Sequence, residues 1–317
     1  ALMDNLFPYF NGDEPYAFPD GFDSYEQYIA ANKIAPEAYQ MKYDQWNISL
    51  GFSTGYRFSV WGGILGIGGG LRVGIVRNSY DNNVYRPFDP ILREQNNQWT
   101  PSNIIWSSLS YDKRDIYYDP SKGYYAIQRL GIYGLLPIEQ EHYIRTDTKA
   151  EAFATLFDIP VSDSFNFKGV FGVHSGLSLI LSQQFNSQPV IQDNNKLAID
   201  GMFNARGWYS MRSNYGLALW ENWAELRIPL AANILAWDWF IDAAAVKEDW
   251  YSMFNSLNIE DFRFSMGSGL RFTIPQFPFR FSLAKRFQVV DNQVKWINGG
   301  IGSWGLDFVI SFAIATY

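Results

Sequence analysis

Apolar and polar residues alternate along most of the chain after residue 44. In the first alternating segment, polar residues and glycines separate apolar positions, which are Trp46, Ile48, Leu50, Phe52, Tyr56 and Phe58. A repeat of two places successive side chains on opposite faces of a β-strand, whereas an amphipathic helix repeats every 3.6 residues. The pattern therefore predicts a β-strand with one apolar face.

The same alternation predicts further strands down the chain, and it is clearest at residues 144–154, 262–273 and 279–287. The predicted strands lie at residues 46–59, 67–75, 101–112, 123–136, 142–157, 165–181, 215–229, 236–246, 261–274, 279–288 and 303–316. Most run about ten to fifteen residues, whereas strands in soluble β-sandwiches, which share this period, typically have about five or six. These lengths favour a sheet that crosses a membrane.

Trp and Tyr recur near the ends of the predicted strands, as in the aromatic girdles of outer-membrane barrels. They are Trp46, Trp106, Tyr124, Tyr125, Trp220, Trp237, Trp239, Trp304 and Tyr317. Short and long connections alternate, as periplasmic turns and external loops do in such barrels. Because lipid offers no hydrogen-bonding partners, a sheet within it has to close on itself. The sequence predicts an all-β, transmembrane antiparallel β-barrel with about eleven strands in this chain.

Two regions fall outside the alternation. Residues 1–43 are acidic and rich in proline, and we interpret them as a long exposed loop that precedes the barrel at residues 44–317. Residues 182–214 form a connection longer than ordinary loops, and such loops are usually functional or disordered. Disorder requires a polar tract, but this connection contains Ile199, Met202, Phe203, Trp208, Tyr209 and Met211. We predict that it folds back into the barrel, and we call it the lumen loop.

Composition excludes several classes of function. The net charge of −7 argues against a nucleic-acid partner. The chain has no cysteine, which is compatible with an oxidising compartment. Its two histidines, His142 and His174, predict neither a Ser/His/Asp set nor a metal site. Glycines 66 and 68–70 lack the spacing of a phosphate-binding loop, so we expect no enzyme activity, catalytic residue, cofactor or metal.

The centre of the lumen loop reads Asn204-Ala205-Arg206-Gly207-Trp208. On the next two predicted strands, Glu225 and Asp242 occupy positions opposite the apolar face. A guanidinium between two carboxylates makes bidentate, charge-assisted hydrogen bonds. We therefore predict that Arg206 reaches Glu225 and Asp242 if the loop turns inward. The alternative interpretation is an exposed turn that contains an unrelated arginine.

With these residues, the chain resembles the Omp85 superfamily, and within it the barrels of BamA-type assembly proteins. Ala205 to Trp208 is similar to the family's loop motif of Val-Arg-Gly followed by Phe or Tyr, with Ala in place of Val and Trp as the aromatic residue. Two hairpin segments also resemble family motifs, and the resemblance as a whole covers about residues 44–317. Their matching positions are Asp112, Arg114, Asp115, Pro120 and Gly123, then Gly267, Gly269, Arg271 and Pro275.

The resemblance implies a barrel of sixteen strands in the full protein, and five strands and periplasmic POTRA domains are expected upstream of Ala1. It also implies that residues 1–43 are an extracellular loop region. It implies a multi-pass protein of the cell outer membrane that inserts nascent outer-membrane proteins at a lateral seam by strand templating. The implied partners are those nascent proteins, the POTRA domains, accessory lipoproteins and membrane lipid. It also implies that Arg206, Gly207 and Trp208 fasten the lumen loop to Glu225 and Asp242.

The resemblance further implies a seam and signal at the C-terminal end. Its residues are Gly305, Phe308, Ile310, Phe312 and Tyr317. Tyr317 falls on the opposite face of the alternation from Phe308, Ile310 and Phe312, and a bulge or a bent terminus would reconcile them. Two other functions remain open, namely a two-partner secretion transporter that exports one dedicated substrate and a general porin.

Overall fold

The computed structural model describes residues 2–3, 6–8, 41–82, 85–87, 90–162, 165–184, 188–208, 215–231, 234–274, 279–300, 302 and 304–312. Thirteen strands form one sheet. They are Asp44–Val60 (β1), Gly63–Ser79 (β2), Thr100–Pro101 (β3), Ile104–Asp112 (β4), Gly123–Tyr133 (β5), Tyr143–Ser162 (β6), Phe165–Leu181 (β7), Ala218–Ala231 (β8), Leu235–Lys247 (β9), Phe262–Phe272 (β10), Phe279–Val290 (β11), Gln293–Ile297 (β12) and Asp307–Phe312 (β13).

Every pairing in this sheet is antiparallel, and neighbours in the chain are mostly neighbours in space. The predicted all-β antiparallel fold is confirmed. Strand β1 lies at one end of the sheet, and β12 and β13 share the edge of β11 at the other end. Within the described residues the two ends do not pair, so the described sheet does not close into a ring.

Two tight turns differ from the sequence prediction. The sequence predicts strands at residues 46–59 and 67–75, whereas the turn between them is confined to Trp61 and Gly62, so β2 begins earlier than predicted, at Gly63. Strand β12 was not predicted, and it follows β11 through Asp291 and Asn292, which both have positive φ. Two-residue turns with positive φ match the twist of the strands they join, and Asn, Asp and Gly adopt them most readily. The Asp-Asn pair was therefore the overlooked signal.

The outward faces carry the apolar residues of the alternating pattern. Leu50 and Phe52 of β1 are 76% and 73% exposed, and Trp239, Leu270 and Leu283 are exposed on later strands. Exposed apolar surface of this extent marks contact with another apolar medium or partner. On β9–β11 the inward residues between them are buried, including Phe240, Asp242, Ser265 and Ala284, whereas β1 is exposed on both faces.

Helices are few among the described residues. They are Pro90–Glu94 (α1), Trp250–Asn255 (α2) and two 3-10 turns, Asp193–Asn195 and Ile259–Asp261. None of the described helices has the length and apolar character that crossing a membrane requires.

The lumen loop supplies the core of the molecule. The part of it at residues 188–208 brings Leu197, Ile199, Ala205 and Trp208 into one buried apolar cluster with the wall residues Tyr143, Ile180, Leu217, Leu219 and Ala244. Burial of a large apolar side chain contributes about 1.5–3 kcal/mol. The prediction of an inward loop agrees with this packing, and residues 185–187 and 209–214 lie outside the described part. Most of the predicted loop region at residues 1–43 also lies outside it.

Candidate functional site

Arg206 lies in a buried cluster of carboxylates on the inner face of the sheet. Its Nε and Nη2 donate to the two carboxylate oxygens of Asp242 at 2.8 and 2.6 Å, and its Nη1 donates to Oε1 of Glu225 at 3.0 Å. The Arg206 backbone N–H also donates to Asp242, at 2.9 Å. Arg206, Glu225 and Asp242 are 5%, 2% and 3% exposed. The structure thus brings together the three residues that the sequence singled out.

Burial by itself lowers the pKa of Arg206, but the negative charges of Asp242 and Glu225 raise it above its ordinary value. The guanidinium is therefore charged, and each hydrogen bond to it is charge-assisted. Such bonds are about twice as strong as neutral ones.

The lumen loop presents Arg206 through a compact local turn. Oδ1 of Asp200 accepts hydrogen bonds from the backbone N–H groups of Met202 and Phe203 at 2.7 and 2.8 Å, and the N–H of Gly207 donates to the carbonyl of Gly201 at 2.9 Å. Gly201 and Gly207 have φ of 73° and 89°, a region that glycine adopts without strain. The aspartate and the glycines therefore fix the backbone that carries Arg206.

An aromatic ring completes the arginine site. The guanidinium carbon of Arg206 lies 3.5 Å from the ring centroid of Phe240, as in a cation–π contact. On the neighbouring strand, a Cβ at Gly267 would lie 2.9 Å from the Phe240 ring and would collide with the carbonyl of Leu283. Gly267 of the second hairpin motif therefore leaves the space that the ring occupies. Gly269 leaves space for the backbone of the neighbouring strand, because a Cβ there would collide with the Phe281 carbonyl.

Glu225 also binds three further arginines, of which Arg271 and Arg280 lie on other strands and Arg227 lies on its own strand. Its carboxylate pairs with Arg271, with Arg280 at 3.4 Å and with Arg227 at 3.8 Å. Arg271 belongs to the same motif as Gly267 and Gly269, and its Nε donates to Asp238 at 2.6 Å. The lumen loop and the second hairpin motif are therefore joined through one buried carboxylate.

The first hairpin motif reaches the same cluster through Arg227. Nη1 of Arg227 donates to Oδ1 of Asp119 at 2.8 Å and to the carbonyl of Pro120 at 3.2 Å. Asp119 and Pro120 lie in the turn between β4 and β5, far from β8 in sequence. We call the set of Arg206, Arg227, Arg271, Arg280, Asp119, Glu225, Asp238 and Asp242 the lumen network. It connects all three segments that resemble family motifs.

The other motif residues of the first hairpin shape the turn itself. Arg114 donates to both carboxylate oxygens of Asp112, at 2.9 and 2.7 Å. Asp115 accepts from the N–H groups of Ser121 and Lys122 at 2.9 and 3.2 Å. Burial of Asp115 acts to raise its pKa, and these hydrogen bonds outweigh it and lower the pKa below the ordinary value. The ionised aspartate thus closes the turn across residues 115–122.

Gly123 ends this turn with φ of 101°, and a Cβ there would collide with the Lys113 carbonyl. We expect Gly123→Ala to destabilise the hairpin by roughly 1–3 kcal/mol, the usual cost of such backbone strain. The measurement is amide hydrogen exchange of residues 113–124. Gly300→Ala is the matched control, because no described atom lies within 4 Å of a Cβ at Gly300. Equal exchange in the two variants would contradict the assignment.

The residues predicted for the C-terminal seam lie on and before β13. Phe308 and Ile310 face outward, 45% and 40% exposed, and they pair with Leu283 and Phe281 of β11. The backbone of Phe312 pairs with Phe279. Gly305 has φ of 58° and precedes the strand. Tyr317 and the motif residue Pro275 lie outside the described residues.

Several members of the lumen network were not predicted as site residues, namely Arg227, Arg280, Asp119 and Asp238. Strand alternation was the available signal for three of them, and Arg280 alternates with Phe279 and Phe281. Arg227 shares the inward face of Glu225, Asp238 shares that of Asp242, and the two pair across the sheet. Asp119 gave no such signal, because only the fold brings its turn to β8.

A second polar cluster lies beside the network, and it shows that His174 is not isolated. Its ring nitrogens lie 3.4 Å from Glu151 and 3.5 Å from Glu221, and the ring stacks on Trp223. Glu221 also pairs with Lys149 at 2.8 Å and accepts from the amide of Asn204 in the lumen loop at 3.3 Å. The cluster therefore adds a further polar tie between the loop and the wall.

Comparison with known proteins gives a family and a fold. The model of the Omp85 superfamily domain matches residues 8–313. A Treponema pallidum (strain Nichols) protein named "Putative outer membrane protein assembly factor" is 34% identical over 307 residues, which cover 89% of this chain and 36% of that protein. The chain thus spans about a third of the length of that relative.

A solved structure supports the same fold. The crystal structure of BamA from Haemophilus ducreyi lacking POTRA domains 1–3 superposes with a TM-score of 0.53 at 17% identity. The match covers 84% of this chain and 54% of that structure. The likeness concerns the fold, and the family match over nearly the whole sequence gives the conclusion: the chain belongs to the Omp85 superfamily.

Proposed function

We propose that the protein is an outer-membrane β-barrel assembly factor, which inserts nascent outer-membrane proteins by templating their strands at a lateral seam. The observation that carries this proposal is the lumen network, because it joins the three motif segments into one buried unit. A general porin needs only charged lumen walls and has no use for such a unit. The name of the Treponema pallidum relative favours assembly over secretion.

The edge of the sheet supplies the proposed templating surface. Among the described strands, β13 pairs with β11 alone, and it has six residues. A strand edge offers backbone N–H and C=O groups to an incoming strand. Each such group left unsatisfied in lipid costs several kcal/mol, and a client strand that replaces the lost bonds makes the exchange nearly neutral. The proposed mechanism therefore requires no catalytic residue, nucleotide or other cofactor.

The proposed setting follows from this mechanism. The exposed apolar faces of β1 and β8–β11 would contact membrane lipid, and the protein would cross the outer membrane many times. Its partners would be nascent outer-membrane proteins, POTRA domains in the periplasm and accessory lipoproteins. These proposals concern the whole protein, because the match with the Treponema pallidum relative covers 36% of that relative's length.

Depletion of the protein in its own cells tests the function. We expect a broad loss of folded outer-membrane proteins, because all of them would use the same edge. Loss of one exported protein would instead indicate a secretion transporter. An altered permeability with normal outer-membrane proteins would indicate a porin.

Crosslinking tests the templating edge directly, because the chain contains no cysteine. An Ile310→Cys variant is combined with a client that carries one cysteine in its last strand, and we expect a disulfide-linked adduct during insertion. Leu270→Cys is the matched control, since Leu270 is also outward-facing and is 43% exposed, against 40% for Ile310. Equal adduct yields from the two positions would rule out templating at β13.

A further inference from the structure

The lumen loop contacts the last strand as well as the wall that holds Arg206. One row of paired residues crosses the inner face from Glu225 through Phe240, Gly267 and Ala284 to Asp307. Arg206 covers the Glu225 end of this row. A Cβ at Gly207 would lie 3.2 Å from the Cβ of Asp307 and 3.3 Å from that of Ala284. The loop therefore lies along the row, with Gly207 against β13.

Trp208 extends this contact to the neighbouring row. Its indole N–H donates to the carbonyl of Phe264 at 2.9 Å, and the side chain is buried. The guanidinium groups of Arg263 and Arg286 lie 5.7 and 5.4 Å from its ring centroid. Cations at this distance from an indole face attract it. Arg286 thus packs on the loop from the wall side.

Arg286 also holds the last strand. Its Nε donates to Oδ2 of Asp307 at 2.7 Å, and its Nη2 donates to the carbonyl of Asn298 at 3.2 Å. Asn298 follows β12 and Asp307 begins β13, so one arginine spans the interruption between the two edge strands. The adjacent Lys285 donates to the carbonyls of Trp304 and Gly305 at 2.9 and 3.2 Å.

We infer that Arg286 and Asp307 are positioning residues that couple the lumen loop to the terminal strand. Trp208 packs on Arg286, Arg286 binds Asp307, and Asp307 in turn contacts Gly207. This circuit gives the loop two attachments, one to the lumen network and one to β13. The inference deepens the proposed function and rests on it in one respect, since β13 is the edge at which clients are proposed to enter.

The short length of β13 makes such a coupling effective. Segments with few neighbours open locally with less free energy than the rest of a structure. Because coupling between two sites is reciprocal, whatever displaces β13 must also loosen the loop, and release of the loop must loosen β13. A client strand that takes the place of β13 would therefore also loosen the lumen loop.

Hydrogen exchange measured by mass spectrometry tests the coupling in the purified protein, without any client. In Asp307→Asn we expect exchange to rise about 5- to 150-fold, the usual range for coupled sites, in both residues 307–312 and residues 204–208. Strand β5 should be unaffected. Arg286→Gln is expected to give the same pattern, and it serves if Asp307→Asn does not fold.

Two comparisons separate coupling from general weakening. Arg145→Gln breaks another arginine–aspartate pair, with Asp147 at 3.1 Å, which should change neither segment. The double variant Arg286→Asp with Asp307→Arg restores an ion pair and should return both segments towards wild-type exchange. A rise in residues 307–312 without a rise in residues 204–208 would overturn the coupling. Because no client is present, that result would leave the proposed assembly function standing.

Discussion

Replacing Arg206 with alanine is expected to lower the free energy of unfolding by roughly 3–5 kcal/mol, the range for removing one partner of a buried ion pair. The substitution leaves Asp242 and part of Glu225 without their cation, and both carboxylates are almost fully buried. It also removes the contact with the Phe240 ring. The lumen loop should then leave the wall, because Arg206 provides its most strongly bonded attachment.

The measurement is the fraction of protein that migrates as a folded barrel in an unheated denaturing gel, together with urea unfolding. Asp242→Ala is expected to behave like Arg206→Ala, since it removes the other side of the same pair. Arg206→Lys should recover little, because an ammonium cannot bridge two carboxylates as a planar guanidinium does. Arg145→Ala is the matched control, as Arg145 is partly exposed and, among the described charged groups, has Asp147 alone at salt-bridge distance. Wild-type stability of Arg206→Ala would show that Arg206 does not attach the lumen loop to the wall.

Glu225→Gln is expected to have an effect of similar size. Here arginines lose their carboxylate, whereas in Arg206→Ala carboxylates lose their arginine. The lumen network contains four arginines and four carboxylates, and Glu225 contacts all four arginines. Its amide replacement keeps the shape but leaves one positive charge in excess in a buried site, at a cost of roughly 3–5 kcal/mol. Urea unfolding of the purified protein measures the loss.

A second substitution gives this prediction its control. The ion-pair partner of Arg280 in the described residues is Glu225, so Arg280→Gln should remove the excess charge that Glu225→Gln creates. In the double variant we expect to recover roughly 0.5–3 kcal/mol, the range of coupling between contacting residues. Losses that simply add would show that charge balance is not what the network provides.

The lumen network also gives the three motif segments a common physical role. Each contributes a charged or spatially restricted position to one buried site: Arg206 from the loop, Arg271 and Gly267 from the second hairpin, and Asp119 with Pro120 from the turn of the first. None of these segments could satisfy its charges alone in a lumen lined by protein. Their joint burial explains why charged residues occur at inward positions that a simple pore would fill with any polar residue.

The sequence by itself determined the strands and their faces. A period of two requires one apolar face, and a strand has no other way to place Phe262, Phe264 and Leu270 together. Alternation also placed Glu225 and Asp242 on inward faces, and an Arg-Gly pair in an aromatic loop indicated the cation that they bind. These are local properties, because each depends on residues within one strand or one loop. Strand β12 was missed because it is short and its turn lacks glycine.

Only the tertiary structure decided which charges meet. Arg227 and Asp119 are separated by 108 residues, yet they form one hydrogen bond, and no period in the sequence relates them. The packing of Gly207 on Asp307 likewise depends on the register of five strands, since a shift of one residue would turn each inward side chain outward. Register is fixed by the whole sheet, by its turns and its buried face. The sequence therefore determined what each strand offers to the lumen, and the sheet determined which partners it finds there.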